Sequence, residues 1–347
     1  MTITLQNTEK GQCYAVKFDR YRQQVVDKLK SSVSIRWWDK QTGAWLIPAT
    51  NKCKAELDQL TYYVRYFEPV QWGTIAQSQT EEDVAFQIPE MPELDGEHGL
   101  KVQPYPYQLQ GIARGLQLKR FINGDDMGLG KTLESIATIN KADAFPCLVI
   151  CPNVVKINWQ REWHKFTDKK AMVLTDSVRD SWPFFWQTGM NQVFIVNYES
   201  LRKYFVRRIT KAEKWTLKDV EFHNTIKLFK SVIIDESHKV KSTATQQTKF
   251  CKGIASGKEY IILLTGTPVV NKPKDLVAQL GIMDRMIDMG GWKGFMLRYC
   301  SGPNQASNLK ELNYKLWQHC FFRREKSKVL TQLPDKVRQI VSCEITN

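Results

Sequence analysis

The sequence predicts an α/β protein in which helices cover both faces of a parallel sheet, preceded by a small α+β domain. Three observations lead to this prediction. After Pro106, short runs of Val, Ile and Leu alternate with longer helical patterns, which is typical of parallel strands buried on both faces. A chain of 347 residues is long for one domain. An acidic stretch that begins at Glu68 separates a short first part from a longer second part.

The sequence pattern of residues 1–67 predicts the small α+β domain. RYRQQVVDKLKSS has a helical pattern, and IRWWDKQTGAWLIP predicts two short strands around a turn that contains glycine. The tryptophans of this segment, Trp37, Trp38 and Trp45, either form the core of a unit this small or offer an aromatic platform to DNA.

Residues 68–103 predict a linker. They carry eight acidic residues against one basic residue, three prolines and the polar run AQSQTEEDV, a composition typical of loosely packed connections. The whole chain has 50 basic and 36 acidic residues, a net charge of +14, so the parts on either side of the linker share +21. That excess fits a polyanionic partner, most often nucleic acid, or else a basic surface that serves solubility.

The cellular compartment is predicted from two further features. No apolar run approaches the roughly 20 residues that cross a bilayer, and the first residues lack the pattern of a signal peptide. Eight cysteines are scattered without metal-ligand spacing, so reduced thiols in the core are expected. We therefore expect a cytoplasmic protein, associated with the nucleoid in a bacterium or phage and nuclear in a eukaryote.

The second part, residues 104–347, predicts repeated strand–helix units. The predicted elements, in chain order, are the helix YQLQGIARGLQL, the strand RFING, the helix KTLESIATINKA, the strand PCLVICP, the helix VVKINWQREWHKF, the strand QVFIVN, another helix, the strand SVIIDES, the helix TATQQTKFCKGIA and the strand EYIILLTGTP.

The stretch GDDMGLGKT lies between the predicted strand RFING and the helix that follows it. A phosphate-binding loop needs this context, because its N–H groups and the helix N-terminus bind the anion together. Gly128 and Gly130 allow the close turn, Lys131 can reach the β- and γ-phosphates, and Thr132 can offer its hydroxyl to Mg²⁺. The strict pattern has a glycine where Asp125 stands, so the loop is a variant.

Two more polar segments follow predicted strands. SVIIDESH places Asp235 and Glu236 at the end of a strand, at the edge of a parallel sheet where ligands bind. Asp235 suits an acid that holds Mg²⁺, and Glu236 suits a base that orients the attacking water. LLTGTP also follows a strand directly. Three polar segments at three strand ends favour a nucleotide site over a chance match.

In that order, GDDMGLGKT, DESH and LLTGTP resemble the first, RecA-like P-loop NTPase lobe of the Swi/Snf family of helicase-like ATPases. PYQLQGI, CPNVVKINWQREWHKF, VNYESL and FFRREKSKVLTQLPDK are similar to further segments of that lobe. The resemblance covers about residues 104–347, of which 321–347 correspond to the start of the connection to a second lobe. Asp125 is common at its position in this family. Asp126 stands where Glu is usual, and Ser237 stands where Ala or Gly is commoner.

The resemblance implies ATP and Mg²⁺ as ligands and assigns roles to individual residues. The implied catalytic residues are Lys131, Asp235 and Glu236. The implied nucleotide contacts are Gln108, Asp126, Met127, Gly128, Leu129, Gly130, Lys131 and Thr132. The implied metal ligands are Thr132 and Asp235. Roles in DNA contact or in coupling it to the nucleotide are implied for Asn197, Tyr198, His238, Thr265, Gly266 and Thr267.

The resemblance also implies ATP-driven movement on double-stranded DNA, in remodelling or annealing, with contacts to the phosphate backbone that ignore base sequence. WWDKQTGAWLIP is faintly similar to the accessory domain of annealing helicases in this family. The sequence stops at Asn347, so we expect a fragment or half of a split motor. A second RecA-like lobe, in cis or in trans, would supply an arginine without which phosphoryl transfer loses about 10³–10⁵ in rate. We therefore expect the chain alone to be a nearly inactive ATP hydrolase.

Residues 202–230 are predicted to form an insertion in the lobe. They hold nine basic and three acidic residues, interleaved with Tyr204, Phe205, Trp215 and Phe222. Basic and aromatic residues together suit contact with a nucleic acid. The alternative is a peripheral helical hairpin whose aromatic residues pack on the lobe while its lysines stay solvated.

The leading hypothesis is thus a DNA-dependent ATPase that translocates on double-stranded DNA. The alternative is a DNA-binding or adaptor module that binds nucleotide without turning it over. An unrelated nucleotide kinase or GTPase is disfavoured by LLTGTP and by the lack of a base-specificity motif.

Overall fold

The structure is a computed structural model. The residues it describes are 1–8, 11–18, 22–65, 67, 69–73, 86–211, 213–266, 272–301 and 306–330.

The first part of the chain is a small α+β domain, as predicted, and it contains a five-stranded mixed sheet. The strand order is β3-β4-β2-β1-β5. Its elements are β1 (Thr2–Thr8), β2 (Gly11–Lys17), α1 (Gln23–Ser32), β3 (Trp37–Asp39), β4 (Ala44–Pro48), α2 (Asn51–Val64) and β5 (Gln71–Gly73). The predicted helix and two strands are α1, β3 and β4, whereas the sequence did not predict the other four elements. Because β5 pairs in parallel with β1, this sheet continues past the predicted boundary at residue 67.

The tryptophans of this domain have different environments. Trp37 packs against the buried Ala15, Ala44 and Leu46, and Trp45 packs against the main core of the domain. Trp38 is 48% exposed. Packing therefore accounts for two of these three tryptophans, whereas the ring of Trp38 is exposed to solvent.

The second part is an α/β lobe built from alternating strands and helices. Its elements are α3 (Pro106–Leu118), β6 (Arg120–Asn123), α4 (Lys131–Lys141), β7 (Cys147–Cys151), α5 (Lys156–Phe166), β8 (Ala171–Val173), α6 (Trp182–Gln187), β9 (Val193–Asn197), α7 (Leu201–Phe205), β10 (Val206–Ile209), β11 (Val220–Phe222), β12 (Ser231–Ile234), α8 (Gln246–Ala255), β13 (Tyr260–Leu264), α9 (Leu276–Ile282), α10 (Gly291–Tyr299), α11 (Leu309–His319), β14 (Phe321–Phe322) and α12 (Lys326–Val329).

A seven-stranded sheet in the order β14-β6-β13-β12-β7-β9-β8 forms the centre of the lobe. All of its recorded pairings are parallel. Successive side chains of a strand point to opposite faces, so Val232 and Ile234 belong to one hydrophobic cluster and Ile233 to the other. Both clusters include helical side chains, such as Leu280 on one face and Ile136 on the other. The predicted parallel sheet covered on both faces is confirmed.

The insertion at residues 202–230 is not a helical hairpin, and that prediction is wrong. α7 ends at Phe205, and β10 and β11 then form an antiparallel ribbon. Val206, Ile209 and Phe222 pack against the lobe core, and the register of the ribbon shifts between Val206 and Arg208. The nine basic side chains are exposed, so the aromatic residues pack and the charges are solvated, as the alternative expected.

The second half of the predicted linker lies along the lobe. Its described residues, 86–103, contain no helix or strand. Asn140 Nδ2 donates to the Gly99 carbonyl at 2.7 Å, and Lys141 Nζ donates to the Glu97 carbonyl at 2.8 Å. The C-terminal end of α4 therefore holds this half of the linker in place.

The described cysteines are free, and all of them except Cys300 are buried, as expected for core thiols. None of the described helices has both the length and the apolar character that a membrane span needs.

Candidate nucleotide-binding site

Three neighbouring strands end side by side at the carboxyl edge of the lobe sheet. β6, β13 and β12 are adjacent and parallel. β6 leads into the loop 124–130, β13 into Thr265, and β12 into Asp235. The Thr265 N–H donates to the Asn123 carbonyl at 3.2 Å, so the first two segments are in direct contact. The fold thus brings the three predicted polar segments to one edge.

The loop makes the tight turn for which its glycines were predicted. Gly128 and Gly130 have φ of 85° and 87°, in the left-handed region that glycine adopts without steric cost. α4 begins directly afterwards at Lys131. Lys131 Nζ donates to the carbonyl oxygens of Asp125 and Asp126 at 2.7 and 3.2 Å. Burial lowers the pKa of Lys131, and nearby carboxylates oppose this shift. The ammonium group therefore lies folded against its own loop.

Gln108 contacts the back of this loop. Its Nε2 donates to the Leu129 carbonyl at 3.1 Å, and its Oε1 accepts from the Tyr105 N–H at 2.9 Å. The Tyr107 hydroxyl donates to the same Leu129 carbonyl at 3.1 Å. The buried amide of Gln108 also occupies the space that a Cβ on Gly130 would need. Gln108 thus fixes the loop, and the exposed ring of Tyr105, stacked on Tyr107 at 5.8 Å, stands beside it.

Asp235 is held by two N–H donors. Trp159 Nε1, on α5, donates to Oδ2 at 2.9 Å, and the Glu236 N–H donates to Oδ1 at 2.9 Å. Burial raises the pKa of Asp235, while the Trp159 hydrogen bond and the charge of Lys131 oppose the rise. The site therefore contains a largely desolvated carboxylate with a fixed orientation.

Glu236 has an unusual backbone conformation. Its φ of 50° and ψ of 49° are left-handed, a conformation that costs a non-glycine residue free energy and recurs at active sites. The side chain is 45% exposed, and its Oε2 lies 3.1 Å from His238 Nδ1. His238 therefore contacts the predicted base directly.

The third segment borders the phosphate loop. Thr265 is 1% exposed, and a Cβ on Gly266 would lie 3.3 Å from Met127 Cγ. Met127 itself is exposed. Thr267 lies outside the described residues. Two of the three residues predicted in this segment thus adjoin the loop.

Asn197 and Tyr198 connect the end of β9 to the site. Asn197 Nδ2 donates to Glu199 Oε2 at 2.7 Å, and its Oδ1 accepts from Ser200 Oγ at 2.8 Å. The Tyr198 hydroxyl donates to the Asp235 carbonyl at 2.5 Å, and the side chain is 1% exposed. In this structure Tyr198 is therefore placed to link β9 to the acidic segment, with its ring away from the surface.

Sequence reasoning missed a buried ion cluster beneath the loop. Arg324 pairs with both Asp125 and Glu134, which are 0% and 2% exposed. Asn123 Nδ2 donates to Glu134 Oε2 at 2.8 Å. Burial raises the pKa of Glu134 to about 8 and also raises the pKa of Asp125. One guanidinium balances one carboxylate, so we infer that Glu134 keeps a proton at neutral pH. The sequence contained one signal of this cluster. Asp125 is an acidic residue at a position where the phosphate-loop pattern has a glycine, and a buried carboxylate needs a partner.

Asp126 is bound by the segment that follows β14. Its Oδ1 accepts from Arg323 at 3.2 Å, and its Oδ2 accepts from the Lys326 N–H at 3.0 Å. The Lys326 N–H and the Arg323 side chain hold the pKa of Asp126 below its usual value. Asp126, an implied nucleotide contact, is therefore already occupied by protein donors.

The residues present fit Mg²⁺. Thr132 and Asp235 offer a hydroxyl and a carboxylate, and Mg²⁺ prefers oxygen ligands. Asp235 and Glu236 both lie near Lys131, and one lysine balances only one of the two carboxylates, which favours a divalent cation. Burial raises the pKa of the neighbouring Glu162, whose side chain also hydrogen-bonds Thr132.

Comparison with known proteins adds independent findings. A family model described as SNF2-related domain matches residues 38–347. A Caenorhabditis elegans homologue of the SWI/SNF-related matrix-associated actin-dependent regulator of chromatin subfamily A-like protein 1 is 29% identical over 249 residues, which are 68% of this chain and 33% of that protein. The mouse DNA annealing helicase and endonuclease ZRANB3 is 31% identical over 260 residues, which are 71% of this chain and 23% of that protein. The chain thus spans a third or less of the length of these relatives.

A solved structure matches the fold. The Sulfolobus solfataricus SWI2/SNF2 ATPase core in complex with dsDNA aligns with a TM-score of 0.53 and 25% identity, over 72% of this chain and 49% of that chain. This match agrees with the parallel-sheet lobe, and the family model covers most of the chain. The chain therefore belongs to the SNF2-related domain family and contains the N-terminal, RecA-like motor lobe of the Swi/Snf type.

Proposed function

We propose that this lobe binds Mg²⁺-ATP and is half of a motor that hydrolyses ATP while moving along double-stranded DNA. Members of the family are helicase-like, ATP-dependent enzymes. One observation carries the proposal: the loop with Lys131, the acidic pair at Asp235 and Thr265 meet at the carboxyl edge of three adjacent strands. This is the place in an open α/β sheet where ligands bind.

Each side chain has a distinct task in this proposal. Lys131 exchanges its two loop carbonyls for phosphate oxygens, which are better partners for a desolvated ammonium group. Glu236 orients the attacking water and accepts its proton. The Trp159 N–H keeps the Asp235 carboxylate pointed at the site. Bound Mg²⁺, held by Thr132 and Asp235, supplies charge neutralisation at the phosphates.

Contact with the DNA backbone is proposed for the ribbon β10–β11. Arg208 is paired with Glu221 at 2.7 Å, and Lys211 is paired with Asp219 at 3.0 Å. Arg207 is exposed and makes no ion pair within the described part of the chain. The ribbon therefore offers less free positive charge than its composition suggests, and Arg207 is its best candidate for a phosphate contact.

Turnover is proposed to need a second RecA-like lobe, in cis or in trans. Among the described residues, the arginines in contact with the loop are Arg323 and Arg324, and both are paired with carboxylates. Charge that develops on the γ-phosphate then lacks an arginine from this lobe. Hydrolysis by the isolated chain should therefore be very slow even with DNA.

The proposal is tested by nucleotide titration of the wild type and Lys131→Ala in the presence of Mg²⁺. We expect the variant to bind ATP at least tenfold more weakly, because the loop loses its phosphate-facing ammonium. Lys141→Ala, at the far end of the same helix, is the control and should bind like the wild type. Equal binding by all three proteins would reject the nucleotide site. The alternative, an adaptor that binds nucleotide without turnover, is favoured if adding a second lobe and DNA produces no hydrolysis.

A further inference from the structure

The chain segment after β14 is fixed directly to the phosphate loop. β14 pairs in parallel with β6. This pairing continues into the loop, where the Gly124 N–H donates to the Phe322 carbonyl at 2.9 Å and the Asp126 N–H donates to the Arg324 carbonyl at 3.1 Å. Below the loop, the buried Arg324 pairs with Asp125. The segment therefore has a fixed position relative to the loop.

Lys326 comes next in this segment, and its ammonium group lies at the loop. Its N–H donates to Asp126 Oδ2 at 3.0 Å, which fixes the start of the side chain. Its Nζ lies 3.4 Å from the place that a Cβ on Gly128 would occupy. Gly128 is in the middle of the loop whose N–H groups are expected to face phosphate. An ammonium group in this position is within a side-chain rotation of an anion bound there.

The acidic groups around Lys326 are already engaged. Asp126 accepts from Arg323 and from the Lys326 backbone. Glu325 pairs with Lys328 at 3.2 Å. The Lys326 side chain is exposed and makes no ion pair within the described part of the structure. It is therefore a positive charge at the phosphate loop with which none of the described carboxylates forms an ion pair.

We propose that Lys326 is a second phosphate-binding cation of the nucleotide site, contributed by the segment that follows β14. The inference rests on the proposed function, since the anion it would bind is the polyphosphate of a nucleoside triphosphate. ATP carries more negative charge than ADP, so Lys326 favours the triphosphate.

The experiment compares binding of ATP and ADP, with Mg²⁺, to the wild type, Lys326→Gln and Lys328→Gln. Both lysines are exposed and lie two residues apart, so Lys328→Gln controls for the loss of one charge in this segment. We expect Lys326→Gln to weaken ATP binding about tenfold, which corresponds to about 1.4 kcal/mol, and to weaken ADP binding less. Lys328→Gln should bind both nucleotides as the wild type does, and Lys326→Arg should restore most of the affinity for ATP.

Wild-type affinity in Lys326→Gln, or equal losses in Lys326→Gln and Lys328→Gln, would overturn the inference. Lys131→Ala separates these results from failure of the proposed function. If Lys131→Ala weakens binding and Lys326→Gln does not, the nucleotide site stands and the role of Lys326 is rejected. If the wild type binds no nucleotide, both are rejected.

Discussion

Replacing Arg324 with methionine tests the ion cluster beneath the phosphate loop. Arg324 Nε lies 3.2 and 3.1 Å from the carboxylate oxygens of Asp125, and one terminal nitrogen lies 2.6 and 2.8 Å from those of Glu134. The three side chains are 8%, 0% and 2% exposed. Methionine occupies part of the same volume without a charge, so Asp125 and Glu134 would remain buried without the cation that pairs with them directly.

Removing one partner of a buried ion pair costs about 3–5 kcal/mol. We expect the free energy of unfolding of Arg324→Met to fall by that amount at neutral pH, measured by urea denaturation. Arg323→Met is the matched control, because the neighbouring Arg323 and its partner Asp126 are 44% and 33% exposed. An exposed pair contributes only about 0–1 kcal/mol. If Arg324→Met does not fold, the triple variant with Asp125→Asn and Glu134→Gln should recover folding, because it leaves no carboxyl group buried without Arg324.

The loss of stability in Arg324→Met should depend on pH. Burial raises the pKa of Glu134 from its ordinary 4.5 to about 8, so the folded protein holds this proton more tightly than the unfolded chain. The contribution of Glu134 to the free energy of unfolding is therefore complete below pH 4.5, and it is lost as the pH rises toward 8. Without Arg324 the pKa of Asp125, already raised by burial, rises further, so protonation relieves the variant at low pH. The difference in the free energy of unfolding between Arg324→Met and the wild type should be smaller at pH 5 than at pH 8. Equal losses for Arg324→Met and Arg323→Met, or no change of the difference with pH, would refute the reasoning.

Three further predictions concern the loop support, the base and the ribbon. Gly111→Ala should lower the free energy of unfolding by about 1–3 kcal/mol, because the new Cβ would lie 2.5 Å from a buried carboxylate oxygen. Gly294→Ala is the control and should leave the free energy of unfolding unchanged, because Gly294 lies in another helix and its Cβ would meet no atom within 4 Å. In a protein that has both lobes, Glu236→Gln should keep ATP binding within about twofold yet lower DNA-stimulated hydrolysis by about 10²–10⁴; an unchanged rate would show that another group is the base. Arg207→Gln should reduce the slope of the logarithm of the DNA-binding constant against the logarithm of salt concentration by about 0.9. The already paired Arg208 should contribute less to this slope. Identical slopes for the wild type and Arg207→Gln would place the DNA elsewhere.

Five of the seven strands of the lobe sheet could be predicted because each is a short apolar run between helical patterns. That periodicity reflects burial on both faces, and it is a local property of the chain. The positions of Lys131, Asp235 and Thr265 followed, because the carboxyl ends of parallel strands lie at one edge. The short β8 and β14 were not predicted, since two or three residues carry no periodicity.

The partners of the loop were decided only by the tertiary structure. Arg324 lies about 200 positions from Asp125 in the sequence, and neither Trp159 nor Tyr198 lies near Asp235 in the chain. The sequence shows that these donors and acceptors exist, but a buried charge can take any partner that the fold brings within reach. The partner is set by strand order and by the connections between strands, which place β14 next to β6 and the end of β9 near the end of β12. Local patterns therefore determined which elements form and where the polar segments end. The packing of those elements determined which charges balance one another, because burial without a partner costs several kcal/mol and the structure must supply one.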